Sequence, residues 1–138
     1  MPTVFLVEDN AADVDLFRMA LAEGCVECDL VVFEDGSDLV DYVRRESRGP
    51  APDLIILDLN LPKIGGLEVL QIIRQEPGYE NICIAVMSSS PSVREQAKLA
   101  SFRIREFIQK PPDLEKYLEI GKTVRKLLDE APSAPVTA

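Results

Sequence analysis

The stretch Leu54-Ile55-Ile56-Leu57, closed by Asp58, constrains this chain more than any other. Four consecutive apolar residues do not suit a strand with one face in water. Residues 53–58 therefore read as a strand covered on both faces, as in the middle of a parallel sheet. Asp58 stands at the carboxyl end of that strand, and Pro62 forbids much further pairing. In open α/β sheets, ligands bind just beyond the carboxyl ends of the strands. A carboxylate there can hold a metal or act as a nucleophile. A strand-ending Asp more commonly just caps a loop, so the weight falls on the other strands.

The rest of the chain alternates in the same manner. Thr3 to Val7 is a β-branched and aromatic run that ends at Glu8-Asp9-Asn10. Val14, Phe17 and Leu21 recur at i, i+3 and i+7 and predict a helix over 11–23, with Gly24 at its C-cap. Asp29 to Phe33 is a second strand. Asp35-Gly36 turns the chain, and Ser37 is placed to cap a helix through about Glu46. After a loop at Lys63-Ile64-Gly65-Gly66, Leu67, Leu70 and Ile73 mark a helix that Pro77-Gly78 stops. Residues 82–87 form a fourth apolar strand. Ser90 and Pro91 start a helix to about Phe102. Residues 104–109 are a short fifth strand ending at Lys110-Pro111. Leu114, Tyr117, Leu118, Gly121, Val124 and Leu128 share one face of a long last helix over 112–130. Residues 131–138, rich in proline and small side chains, read as a disordered tail behind a single domain of residues 1–130. The pattern is (βα)5, an α/β class in which helices cover both faces of a doubly wound parallel sheet.

Composition removes several functions. With 15 basic against 24 acidic side chains, the net charge is −9, which opposes binding to nucleic acid or to anionic membranes. No apolar run approaches a membrane span. Val4 and its neighbours go straight into a strand without a basic, signal-like start, so the expected compartment is the cytoplasm. Histidine is absent, which excludes a Ser-His-Asp or Cys-His nucleophile and any histidine-bearing zinc site. Cys25-Val-Glu-Cys28 has the spacing of a redox pair but lacks the further ligands of a metal site; with Cys83 it reads as reduced thiols.

Four strands end in polar groups: Glu8 and Asp9 after the first, Asp58 after the third, Ser88 after the fourth, Lys110 after the fifth. A parallel sheet brings all its carboxyl ends to one edge, so three carboxylates, a hydroxyl and an ammonium converge there. The carboxylates repel one another unless a cation intervenes. Mg²⁺, or Mn²⁺, suits an all-oxygen site and keeps waters that a phosphoryl oxygen can replace. Asp58 can then be the nucleophile, forming an aspartyl phosphate. Mg²⁺ and Lys110 would offset charge on the phosphoryl oxygens, and the Ser88 hydroxyl could donate to one of them.

These residues, in this order and with Asp58 inside Leu57-Asp58-Leu59-Asn60-Leu61-Pro62, resemble the receiver domain of two-component response regulators over about residues 3–128. The resemblance implies the flavodoxin-like strand order 2-1-3-4-5 and a stand-alone phosphorylation switch. It implies that Asp58 is the phosphoacceptor, that Glu8, Asp9 and Asp58 hold Mg²⁺, and that Asn60 lends its backbone carbonyl to the metal. Ser88 and Phe107 would form the switch: Ser88 drawn toward the phosphoryl group, Phe107 turning into the vacated space. The donor would be a phosphohistidine on a sensor histidine kinase. The Leu-Asn-Leu-Pro loop and the prolonged last helix look like the small receivers paired with bacterial phytochromes. A downstream target or phosphotransfer protein is implied but not identified. Gly65-Gly66 stands where the family often has Asp-Gly, and Arg103 where a glycine commonly precedes the fifth strand.

Two rivals use the same topology. A haloacid-dehalogenase-like phosphatase also has a strand-end Asp nucleophile, but it needs a second Asp two residues on, where this chain has Asn60. A flavodoxin-like cofactor binder would need a phosphate cradle after the first strand, where Glu8-Asp9 would repel phosphate. The fifth strand, at a sheet edge, invites a partner. A homodimer is therefore expected through a face made of Phe102, Ile104, Tyr117, Val124 and Leu128.

Overall fold

The computed structural model describes residues 1–45, 49–59, 65–89 and 93–130. Strands β1 (Thr3–Val7), β2 (Asp29–Phe33), β3 (Leu54–Asp58), β4 (Cys83–Ser88) and β5 (Glu106–Gln109) form one parallel sheet in the order β2-β1-β3-β4-β5. The helices are α1 (Ala11–Glu23), α2 (Gly36–Arg44), α3 (Gly66–Gln75), α4 (Val93–Ala100), α5 (Leu114–Leu118) and α6 (Ile120–Glu130).

β3 is central and buried at all five positions, as its unbroken apolar run requires. Its side chains divide between two cores. Ile55 and Leu57 join Phe5, Leu39, Val69, Leu70, Ile73 and Val86 under α2 and α3. Leu54 and Ile56 join Phe17, Ala20, Met87, Val124 and Leu127 under α1 and α6. With both faces covered, the exit of β3 is the place where its polar terminus meets the other strand ends.

Several local expectations change. Asp35, not Ser37, caps α2: its Oδ1 accepts from the Asp38 N–H at 2.9 Å, and Ser37 lies inside the helix. Gly24 does end α1, but at φ −84; the left-handed residue is Cys25 at φ 57. Gly24 is needed instead for contact, since a Cβ there would lie 2.6 Å from the Gly121 carbonyl carbon, and one on Gly121 would lie 1.8 Å from Ala20 O. The two glycines let α1 and α6 touch backbone to backbone. The long last helix is in fact two, α5 and α6, broken at Glu119. Glu119 N–H bonds to Lys116 O, and Lys122 N–H to Glu119 O, three residues back each time, so the turn tightens just where Gly121 meets α1.

β5 starts at Glu106 rather than at residue 104, because Arg103 takes the left-handed conformation, φ 58, that a glycine would adopt more cheaply. Arg103 is held there by hydrogen bonds from its guanidinium to Asn81 Oδ1 and Glu80 O.

The proposed dimer face is also corrected. Tyr117 is 4% exposed and Val124 0%, and both pack in the chain's own core below α5 and α6, so neither can meet a partner. Phe102 and Ile104 are half-buried against the opposite core and Leu128 against the α6 side. Asn60, the helix start at Ser90 and Pro91, Glu46 and the 131–138 tail lie outside the described residues. No described helix is long and apolar enough to cross a membrane.

Candidate functional site

Backbone pairing carried just past the strand ends fixes the site. Glu8 N–H bonds to Phe33 O at 2.9 Å, Leu59 N–H to Met87 O at 2.9 Å, and Lys110 N–H to Ser88 O at 2.8 Å. The sheet edge therefore presents Glu8, Asp58, Ser88 and Lys110 side by side. Glu8, Asp58 and Ser88 are each at most 3% exposed, while Asp9 is exposed.

Carboxylate oxygens of Glu8, Asp9 and Asp58 all lie within 4.8 Å of one another. Into this cluster reaches Lys110, whose Nζ is 2.8 Å from Glu8 Oε1 and 2.8 Å from Asp58 Oδ2. Burial opposes the ammonium, but its hydrogen bonds to Asp58 and Glu8 outweigh that cost, and the Lys110 pKa is raised. Burial pushes the Glu8 carboxyl up to about 7, against the pull of the Lys110 hydrogen bond. A compact all-oxygen donor set of three carboxylates, compensated by a lysine, fits a hard divalent cation.

The structure brings together Glu8, Asp9, Asp58 and Lys110 as expected, and places Ser88 at the end of the neighbouring strand, opposite Gln109. Phe107 lies opposite Val86 and packs half-buried on the core beneath α4, on the strand that leads to Lys110.

One residue was missed. Asp13 Oδ2 stands 3.3 Å from Lys110 Nζ, a third carboxylate on the same ammonium. Asn10 caps α1, accepting from the Ala12 and Asp13 N–H groups, so Asp13 sits in the first helical turn. There an acidic residue is ordinarily explained by the helix dipole. The available signal was direction: side chains on a helix lean toward its N-terminus, here toward Glu8 and Asp9. Tyr117, expected on a dimer face, instead donates its hydroxyl to Asp13 O at 3.4 Å, and burial pushes its pKa up to about 12.

A buried strand-end aspartate beside a lysine, two further carboxylates and a hydroxyl, on this sheet, defines a class of signalling domain. A family model for the response regulator receiver domain matches residues 4–121, and the chain belongs to that family. It is similar to the response regulator Rcp1 of Synechocystis sp., at 34% identity over 104 residues, 73% of this chain and 69% of that one. Among solved structures it is similar to the phosphorylated cyanobacterial phytochrome response regulator RcpA, with TM-score 0.83, 33% identity and coverage of 98% and 99% of the two chains. The Mn²⁺-bound form of response regulator Rcp1 matches with TM-score 0.81, 25% identity and full coverage of both chains. The chain is thus a receiver of two-component signalling that resembles phytochrome response regulators. The haloacid-dehalogenase reading is set aside, since the matching family is the receiver.

Proposed function

We propose that residues 1–130 form a cytoplasmic phosphorylation switch in which Asp58 accepts a phosphoryl group from the phosphohistidine of a sensor histidine kinase. The observation that carries this reading is the contact of Lys110 Nζ with Asp58 Oδ2 at 2.8 Å inside a buried acidic cluster. An Asp58 carboxylate oxygen attacks phosphorus. The P–N bond to the donor imidazole breaks, its electron pair goes to the departing nitrogen, and solvent supplies that nitrogen with a proton. Lys110 shifts onto the phosphoryl oxygens, and the Ser88 hydroxyl donates to one of them. Glu8, Asp9 and Asp58, with the Asn60 backbone carbonyl, would hold Mg²⁺, which would supply charge neutralisation on the phosphoryl group. The protein has no substrate to turn over beyond its own phosphotransfer and dephosphorylation.

Ser88 and Phe107 are assigned to the readout, as residues on adjacent strands leading into the site. The likeness to the phytochrome response regulator RcpA favours a phytochrome-type kinase as the donor. The edge position of β5, with half-buried Phe102, Ile104 and Leu128 around it, supports a homodimer through that side.

Acetyl phosphate labelling in Mg²⁺ tests the acceptor. Wild type should label, and both EDTA and Asp58→Asn should abolish the signal. Undiminished labelling of the variant would overturn the assignment.

A further inference from the structure

The three carboxylates around Lys110 are not equivalent. Glu8 and Asp58 belong to the set whose oxygens converge for a metal; Asp13, 3.3 Å from Nζ, does not. An ammonium has three donors and no acceptor. When a cation enters among Glu8, Asp9 and Asp58, it draws on two of the carboxylates that now hold Lys110. The ammonium then needs an acceptor outside that set, close enough to keep it beside Asp58.

We propose that Asp13 is a positioning residue for phosphoryl transfer: it keeps Lys110 at Asp58 while the metal and the incoming phosphoryl group engage Glu8 and Asp58. This rests on Asp58 as the phosphoacceptor. Asp13 is suited to such a role because its backbone is fixed from two sides. Its N–H bonds to Asn10 Oδ1 at 3.2 Å, and its carbonyl accepts from the hydroxyl of Tyr117, which is itself 4% exposed. Asp13 is thus held between α1 and α5, with its side chain 31% exposed. Asp15, two residues on, is exposed and serves as a control of equal charge.

Without Asp13, the charged acceptors left to Lys110 among the described residues are Glu8 and Asp58. Ammonium and divalent cation then compete directly, and metal binding weakens. Mg²⁺ titration calorimetry on the full chain tests this. Asp13→Asn should weaken Mg²⁺ binding about fivefold, the size a partly exposed charge pair reaches. Labelling at subsaturating Mg²⁺ should slow by a similar factor. Asp13→Glu should restore most of both, and Asp15→Asn should change little. In a Lys110→Ala background, the Asp13→Asn effect should shrink to that of Asp15→Asn. The proposal is overturned if Asp13→Asn behaves like Asp15→Asn, or if its effect persists undiminished without Lys110. Labelling of Asp58→Asn at the wild-type rate would instead overturn the acceptor assignment, and the calorimetry, which uses no phosphoryl donor, separates the two failures.

Discussion

Each rim of the sheet takes a cation in among oxygens, and the two rims use it in opposite ways. At the carboxyl rim, Lys110 lies among the side-chain carboxyl groups of Glu8, Asp13 and Asp58. At the amino rim, Arg74 at the end of α3 donates to the carbonyls of Phe102, Tyr79, Glu80, Ile82 and Arg103, with N···O distances of 2.8–3.3 Å. Burial and the nearby Arg103 guanidinium lower the Arg74 pKa from its usual value. Carbonyl dipoles fixed in the chain cannot leave, and the planar guanidinium fork matches several at once. Carboxylates on side chains can exchange an ammonium for a metal or a phosphoryl group. One rim is a clamp and the other is a place where partners change.

The two cations should therefore fail differently when removed. Arg74→Ala leaves several carbonyls short of a donor and frees the turn that holds Arg103 at φ 58. We expect a loss of about 3 kcal/mol in urea unfolding, by the scale for hydrogen bonds to charged groups, while the folded fraction still labels. Lys110→Ala should do the reverse: Mg²⁺ still binds, but labelling in saturating Mg²⁺ slows by roughly 10²-fold, the range for removing one preorganised donor. Collapse of Mg²⁺ affinity in that variant would break the division of labour.

A third effect belongs to the acidic rim alone. Burial holds Glu8 near pH 7 rather than at the 4.5 of an ordinary glutamate. The raised value means that the folded state favours the protonated acid. Its contribution to stability is therefore full below about 4.5 and lost as the pH rises through about 7. Metal affinity runs the other way, since the carboxylate is the ligand. Mg²⁺ binding should weaken about tenfold from pH 8 to pH 6 by simple titration of one group, and Glu8→Gln should flatten both profiles. The smallest effect is at Gly65, which caps α3 without a side-chain hydrogen bond and has open space around a would-be Cβ. Gly65→Asp should add a few tenths of a kcal/mol in thermal unfolding.

What the sequence revealed divides along the same rims. The strands and the groups at their carboxyl ends were legible because an apolar run fixes where a strand stops, and a parallel sheet then gathers those ends. Leu54 to Asp58 needed no more than that. The Arg74 clamp was not legible, because a basic residue in the last turn of a helix is already explained by the dipole and its carbonyl partners lie in loops. Asp13 was hidden for the mirror reason. Val124 looked like a surface for a partner because the sequence does not say how closely α6 approaches α1; the contact of Gly24 with Gly121 draws that helix in and buries it, while Tyr117 on α5 is buried against Asp13 of α1. The break at Glu119 follows the same contact and has no breaking residue to announce it.

The phosphoryl group should go to Asp58 and nowhere else in the acidic cluster. Borohydride reduction of the labelled protein converts an aspartyl phosphate to homoserine at the modified position, which peptide mass mapping then locates. Homoserine is expected at Asp58 alone. Homoserine at Asp9, or a reduced side chain at Glu8, with Asp58 intact, would contradict it.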